Sequence, residues 1–85
     1  MTLIDTIERQ SARLTQAGVS FGHGTTNAFD EAAWLVLWRL GLPLDDLDGV
    51  AARELTAAES AAIDALVDER IATRKPAAYL MHEAW

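Results

Sequence analysis

The chain has 85 residues, 51% hydrophobic and 24% charged, with a formal net charge of -6 and no cysteine. That is room for one domain with one modest core, because a chain this short buries only about 60–65% of its unfolded surface. Disulfides and cysteine-based metal sites are excluded; the acidic balance argues against direct nucleic-acid binding, which needs clustered Lys and Arg, and suits a basic protein partner.

Abundant alanine, few β-branched residues and two prolines favour helix throughout. Thr2 is placed to cap a first helix, with Asp5 at the capping-box position. Ile4, Ile7, Ser11 and Leu14 fall on one face of it, flanked by Leu3 and Ala17, with Glu8, Arg9, Gln10 and Arg13 opposite. Gly18 is expected to end it as a left-handed cap. Met1 to Asp5 carries an early acid and no basic stretch, unlike a signal peptide. The longest apolar run is far short of the roughly 20 residues of a membrane span, so no membrane is expected as a partner, and the acidic balance likewise leaves no direct nucleic-acid partner expected.

A glycine-flanked histidine turn follows, Phe21-Gly22-His23-Gly24-Thr25-Thr26-Asn27. Asn27 can cap the second helix, predicted over about Ala28 to Leu40, and Asp30 sits where a capping-box acid would. From Ala32 to Leu40 the only charge is Arg39. A helix apolar on nearly every side must be covered on more than one face, which makes it the expected centre of a bundle. Gly41 and Pro43 stop it. Pro43 suits a first helical position, and Asp45 and Asp46 suit a first turn, so one short helical turn is predicted to end at Gly49. Val50 to Leu55 reads as a connector. Thr56-Ala57-Ala58-Glu59 is a full capping box opening a last helix to about Arg74, with Ile63, Leu66, Val67 and Ile71 as its stripe and Asp64, Asp68 and Arg70 off it. Lys75-Pro76 breaks it. The tail from Ala77 to Trp85 is apolar, and Tyr79 and Leu80 are expected to pack back on the bundle. The predicted fold class is all-α: three main helices plus one or two short helical turns.

Each chemical motif competes with a plainer role. Gly22-His23-Gly24 invites a phosphate-loop reading, but the dinucleotide pattern needs a glycine where Asn27 stands, and no Lys is in place. A tight turn with positive φ at one or both glycines is the simpler account. His23 and His82 lack metal-ligand spacing, and no nucleophile or orienting partner accompanies His23. Asp46, Asp48 and Gly49 match part of a calcium loop whose first and last positions would be the apolar Leu44 and Leu55. Trp34 and Trp38, one turn apart, serve either the core or an aromatic groove for another protein.

The aromatic-Gly-His-Gly-Thr turn, then Asn27, Phe29, Asp30, Glu31 and Ala32 ahead of an apolar helix, resembles the amino-terminal domain of the HemK/PrmB family of protein-(glutamine-N5) methyltransferases. Leu42-Pro43-Leu44, Leu55-Thr56, Arg70, Pro76-Ala77-Ala78-Tyr79-Leu80 and Glu83-Ala84-Trp85 extend the likeness from about Ile4 to Trp85. Thr26 and Ala28 depart from the acid and proline of the family pattern. Pro-x-x-Tyr-Leu is shared with the release-factor branch, whereas Gly-His-Gly-Thr is similar to the ribosomal-protein, PrmB, branch.

The resemblance implies a helical amino-terminal domain spanning residues 1–85, which helps present a protein substrate or braces the catalytic domain. The expected partners are a large-subunit ribosomal protein, with a release factor as the alternative, and the catalytic domain of the same enzyme. S-adenosylmethionine is expected in that catalytic domain and no cofactor in this chain, which has no glycine-rich cofactor loop and no Asn-Pro-Pro-Tyr motif. The chain is expected to stop where the linker to that domain starts, with the packing partners of Trp85 beyond it, and to have no methyltransferase activity alone. A cytoplasmic location is expected. Candidate contact residues are His23, Thr25, Asn27, Asp30 and Trp34; catalytic and metal-binding residues are not expected. A stand-alone helical module that dimerises through Trp34 and Trp38 is the competing expectation.

Overall fold

The computed structural model describes residues 1–19, 27–43, 45 and 47–73. Within them four helices follow in order: α1 (Leu3–Ala17), α2 (Ala28–Arg39), α3 (Leu47–Val50) and α4 (Ala57–Thr73). The fold is all-α; the one extended feature among the described residues is an isolated antiparallel bridge between Thr2 and Glu54.

Helix α1 begins as its sequence directs. The Asp5 amide donates to Thr2 Oγ1 at 3.3 Å and the Thr2 amide donates to Asp5 Oδ2 at 3.2 Å, closing the capping box. Two other amides of the first turn find partners in the connector between α3 and α4: Leu3 N donates to the Arg53 carbonyl at 2.7 Å and Ile4 N to the Ala51 carbonyl at 3.0 Å. The connector therefore satisfies donors that a helix start otherwise leaves to water. Gly18, at φ 68°, ends the helix in the left-handed region expected of it.

The buried face of α1 is rotated from the predicted one. Leu3, Thr6, Ile7, Gln10 and Leu14 are buried, while Ile4 and Ser11 are half-buried. Gln10 was expected on the polar side but is only 1% exposed. The cause lies on α4, where Asp64 Oδ1 accepts from Gln10 Nε2 at 2.7 Å, so the buried amide is not left unsatisfied.

Asn27 caps α2 from extended backbone, its Oδ1 accepting from the Asp30 amide at 2.8 Å. Ala28, Glu31, Ala32, Ala33, Leu35, Val36 and Leu37 are all buried, with α1 and α4 both packed on this helix. At its other end the Gly41 amide donates to the Trp38 carbonyl at 3.1 Å and the Leu42 amide to the Leu37 carbonyl at 2.9 Å. With Gly41 at φ 71° this is a Schellman cap, and Leu42 turns back against the core. The predicted short helical turn forms as α3, but shifted along the chain, with Pro43 outside it and Gly49 inside it. The chain is still leaving the cap at Pro43, Asp45 lies in a turn, and the short helix α3 starts only at Leu47 and contains Gly49.

The capping box of α4 also forms, with the Glu59 amide donating to Thr56 Oγ1 at 3.0 Å and the Thr56 amide to Glu59 Oε1 at 2.9 Å. Ile63 and Val67 are fully buried, and Leu66 and Ile71 pack partly against the core. Arg70, expected off the stripe, is instead 1% exposed and inside the bundle. Leu3, Ile7, Leu14, Leu35, Val36, Ile63 and Val67 at 0% exposure form the core, each contributing about 1.5–3 kcal/mol by leaving water.

Candidate protein-docking site

Helix α2 is covered on most sides and shows solvent a narrow stripe. Asn27 and Asp30 are exposed in its first turn; Trp34 and then Trp38, both half-buried, follow at one-turn steps of about 6 Å. Three predicted contact residues, Asn27, Asp30 and Trp34, are thus brought into one line by helical periodicity. Asn27 and Asp30 also build the cap, with Asn27 Nδ2 donating to Asp30 Oδ2 at 3.2 Å. Phe29, at 36% exposure, stands on another side of the same turn and was not foreseen as a surface residue. Trp38 packs on the core with part of its ring uncovered. His23 and Thr25, the glycines of their turn, and the tail from Arg74 onward lie outside the described residues.

The electrostatics of the domain follow from where its cations are spent. Arg9 lies 3.7 Å from Asp64; Arg13 pairs with Asp68 and lies 3.6 Å from Asp64; Arg53 pairs with Glu59 at 2.7 Å. Arg13 Nη1 also donates to Gln10 Oε1 at 2.9 Å, so a polar seam ties α1 to α4. These arginines are matched within the domain, and over the chain Asp and Glu outnumber Lys and Arg 13 to 7. Two carboxylates are held below their usual range: Asp5 by hydrogen bonds with Thr2, side chain first and then backbone, and Glu59 by the Thr56 amide and then by the Arg53 charge.

At the buried edge of the stripe lies an ion pair that sequence reasoning missed. Arg70 Nε donates to Glu31 Oε2 at 2.7 Å and Nη2 approaches Oε1 at 3.4 Å, with the side chains 1% and 2% exposed. The available signal was an acid set against an all-apolar helix and a basic residue one turn beyond the buried Val67. Helical phase alone places Arg70 three residues from Val67, on the same side of α4.

Comparison with known proteins gives the domain its family. A family model described as the PrmC N-terminal domain matches residues 5–81. The chain belongs to the PrmC N-terminal domain family. Its relatives include the ribosomal protein uL3 glutamine methyltransferase of Burkholderia pseudomallei (strain K96243), 45% identical over 84 residues, which are 99% of this chain and 27% of that protein. The Bordetella pertussis protein of the same name is 49% identical over 85 residues, covering 99% of this chain and 28% of the relative. The Neisseria meningitidis serogroup B protein is 44% identical over 84 residues, again 99% and 28%. This PrmC N-terminal domain thus spans about a quarter of the length of those relatives. No solved structure matches it.

A cofactor cradle of the doubly wound kind needs a glycine-rich turn between a strand and a helix N-terminus. Here Gly18 and Gly41, the described glycines with positive φ, both close helices. Among the described residues there is no cluster of three or more His, Asp or Glu side chains able to hold a metal, and no helix is long and apolar enough to cross a membrane. A cleft of about 310 Å³ opens between the end of α2 and the start of α4, lined by Arg39, Leu40, Ala58, Glu59 and Ala62. It brings together none of the predicted contact residues.

Proposed function

We propose that this chain is the non-catalytic helical domain of an S-adenosylmethionine-dependent ribosomal-protein glutamine N5-methyltransferase. Its task is to bind or orient the protein substrate, or to brace the catalytic domain, through the outward stripe of α2. The observation that carries the proposal is identity of 44–49% across nearly the whole chain to three proteins named for methylating ribosomal protein uL3. The same names favour a ribosomal protein over a release factor. A net charge of -6 suits a basic ribosomal partner by complementarity, which speeds encounter and suppresses wrong partners. Asn27, Asp30 and Trp34 are the described contact residues of the proposal, and His23 and Thr25 of the preceding turn complete it. Cofactor binding and chemistry belong to the catalytic domain, and the working location is the cytoplasm.

Titrating the chain with uL3 and, separately, with S-adenosylmethionine tests this division of labour. Saturable uL3 binding weakened by Asp30→Lys and Trp34→Ala, with no heat from the cofactor, is the expected result. Micromolar cofactor binding would overturn it. The half-exposed Trp34 and Trp38 also support a second reading, self-association through that stripe. Sedimentation at several concentrations separates the two, since a strict monomer with unchanged tryptophan fluorescence excludes the second.

A further inference from the structure

We propose that Glu31 and Arg70 are positioning residues whose buried ion pair sets the rotation of α2 in the bundle, and so decides which stripe of that helix faces outward. Helix α2 carries apolar side chains all round from Ala32 to Leu37. The hydrophobic effect is non-directional, so burial alone discriminates weakly between rotations of such a helix. Helix α4 adds little direction: its fully buried apolar residues are Ile63 and Val67, with Leu66 and Ile71 only partly against the core. An arginine fork on a carboxylate is directional. Both groups are at most 2% exposed, so any rotation that parts them leaves a charge buried without its counterion. Glu31 lies three residues before Trp34 and seven before Trp38, so the three share one side of α2, with Glu31 at its buried edge. Holding Glu31 against Arg70 therefore fixes how far Trp34 and Trp38 turn out of the core, leaving both half-buried with Asn27 and Asp30 exposed beyond them.

The functional importance of that stripe rests on the proposed docking role; the rotation itself does not. The test is the double variant Glu31→Leu/Arg70→Met in the 85-residue chain. It reads thermal midpoint, the near-ultraviolet tryptophan signal, and the Trp34 indole N–H resonance assigned with Trp34→Phe. Apolar replacement of a buried pair is often neutral or stabilising, so the variant should fold with a midpoint at or above that of the parent. The Trp34 resonance should shift or split, and the near-ultraviolet band should fall, as α2 samples other rotations. A folded double variant with an unchanged Trp34 resonance would overturn the proposal. So would a double variant that fails to fold, because the pair would then supply stability and not direction. Neither result depends on whether the domain binds uL3, so failure here and failure of the docking proposal are distinguishable.

Discussion

Removing one member of the buried pair gives the sharpest energetic prediction. Arg70→Met keeps much of the aliphatic volume but leaves the Glu31 carboxylate, 2% exposed, without its guanidinium. Opposite charges about 4 Å apart attract by about 4 kcal/mol at an effective dielectric near 20. Mutational experience with broken buried pairs gives about 3–5 kcal/mol, the two figures agreeing in scale. A domain of this length has about 4–13 kcal/mol of stability in all. Arg70→Met should therefore lower the thermal midpoint by something on the order of 12–40 °C. Urea unfolding followed by helical circular dichroism measures the loss directly. A loss under about 1 kcal/mol, typical of an exposed pair, would refute the claim that the charge is desolvated.

Other predictions follow from the caps and turns. Thr56→Ala removes the acceptor of the Glu59 amide and should cost about 1 kcal/mol in urea unfolding. Gly41→Ala should cost about 1–2 kcal/mol through the left-handed backbone alone, since a Cβ there would meet nothing within 4 Å. Gly41→Asn, which tolerates that conformation, should cost less, and equal losses would contradict the backbone account. Asp5 and Glu59 have lowered folded pKa values, so the unfolded chain binds more protons on acidification. Their contribution is in place above the ordinary carboxylate range and is lost as pH falls through the lowered folded values. Asp5→Asn with Glu59→Gln should flatten the acid limb of stability against pH; an unchanged limb would show that the caps do not titrate.

Local signals made most of the fold legible. Thr2 with Asp5, and Thr56 with Glu59, are short-range hydrogen-bonding patterns, and each opened its helix where the residues said. Gly18 and Gly41 ended theirs for an equally local reason. Two of the misses depended on a partner distant in sequence. Gln10 is polar by type and became buried because Asp64, 54 residues away, supplies an acceptor. Arg70 entered the core because Glu31, 39 residues away, neutralises it. Pro43 favoured a helix start, but the Schellman closure at Gly41 and Leu42 prevailed, using backbone bonds to Trp38 and Leu37. At the candidate site, periodicity put Trp34 and Trp38 one turn apart on one side of α2, where both stand half-buried. The capping pattern had already paired Asn27 with Asp30, whereas nothing local indicated that Phe29 is exposed.

The central claim is that this domain serves protein recognition or bracing while cofactor chemistry lies elsewhere in the parent enzyme. The most direct measurement is uL3 methylation by that enzyme carrying Asp30→Lys and Trp34→Ala, with cofactor affinity measured on the same sample. The account predicts a fall in kcat/KM for uL3 with cofactor affinity unchanged. Unaltered methylation, or a loss traced to weaker cofactor binding, would contradict it.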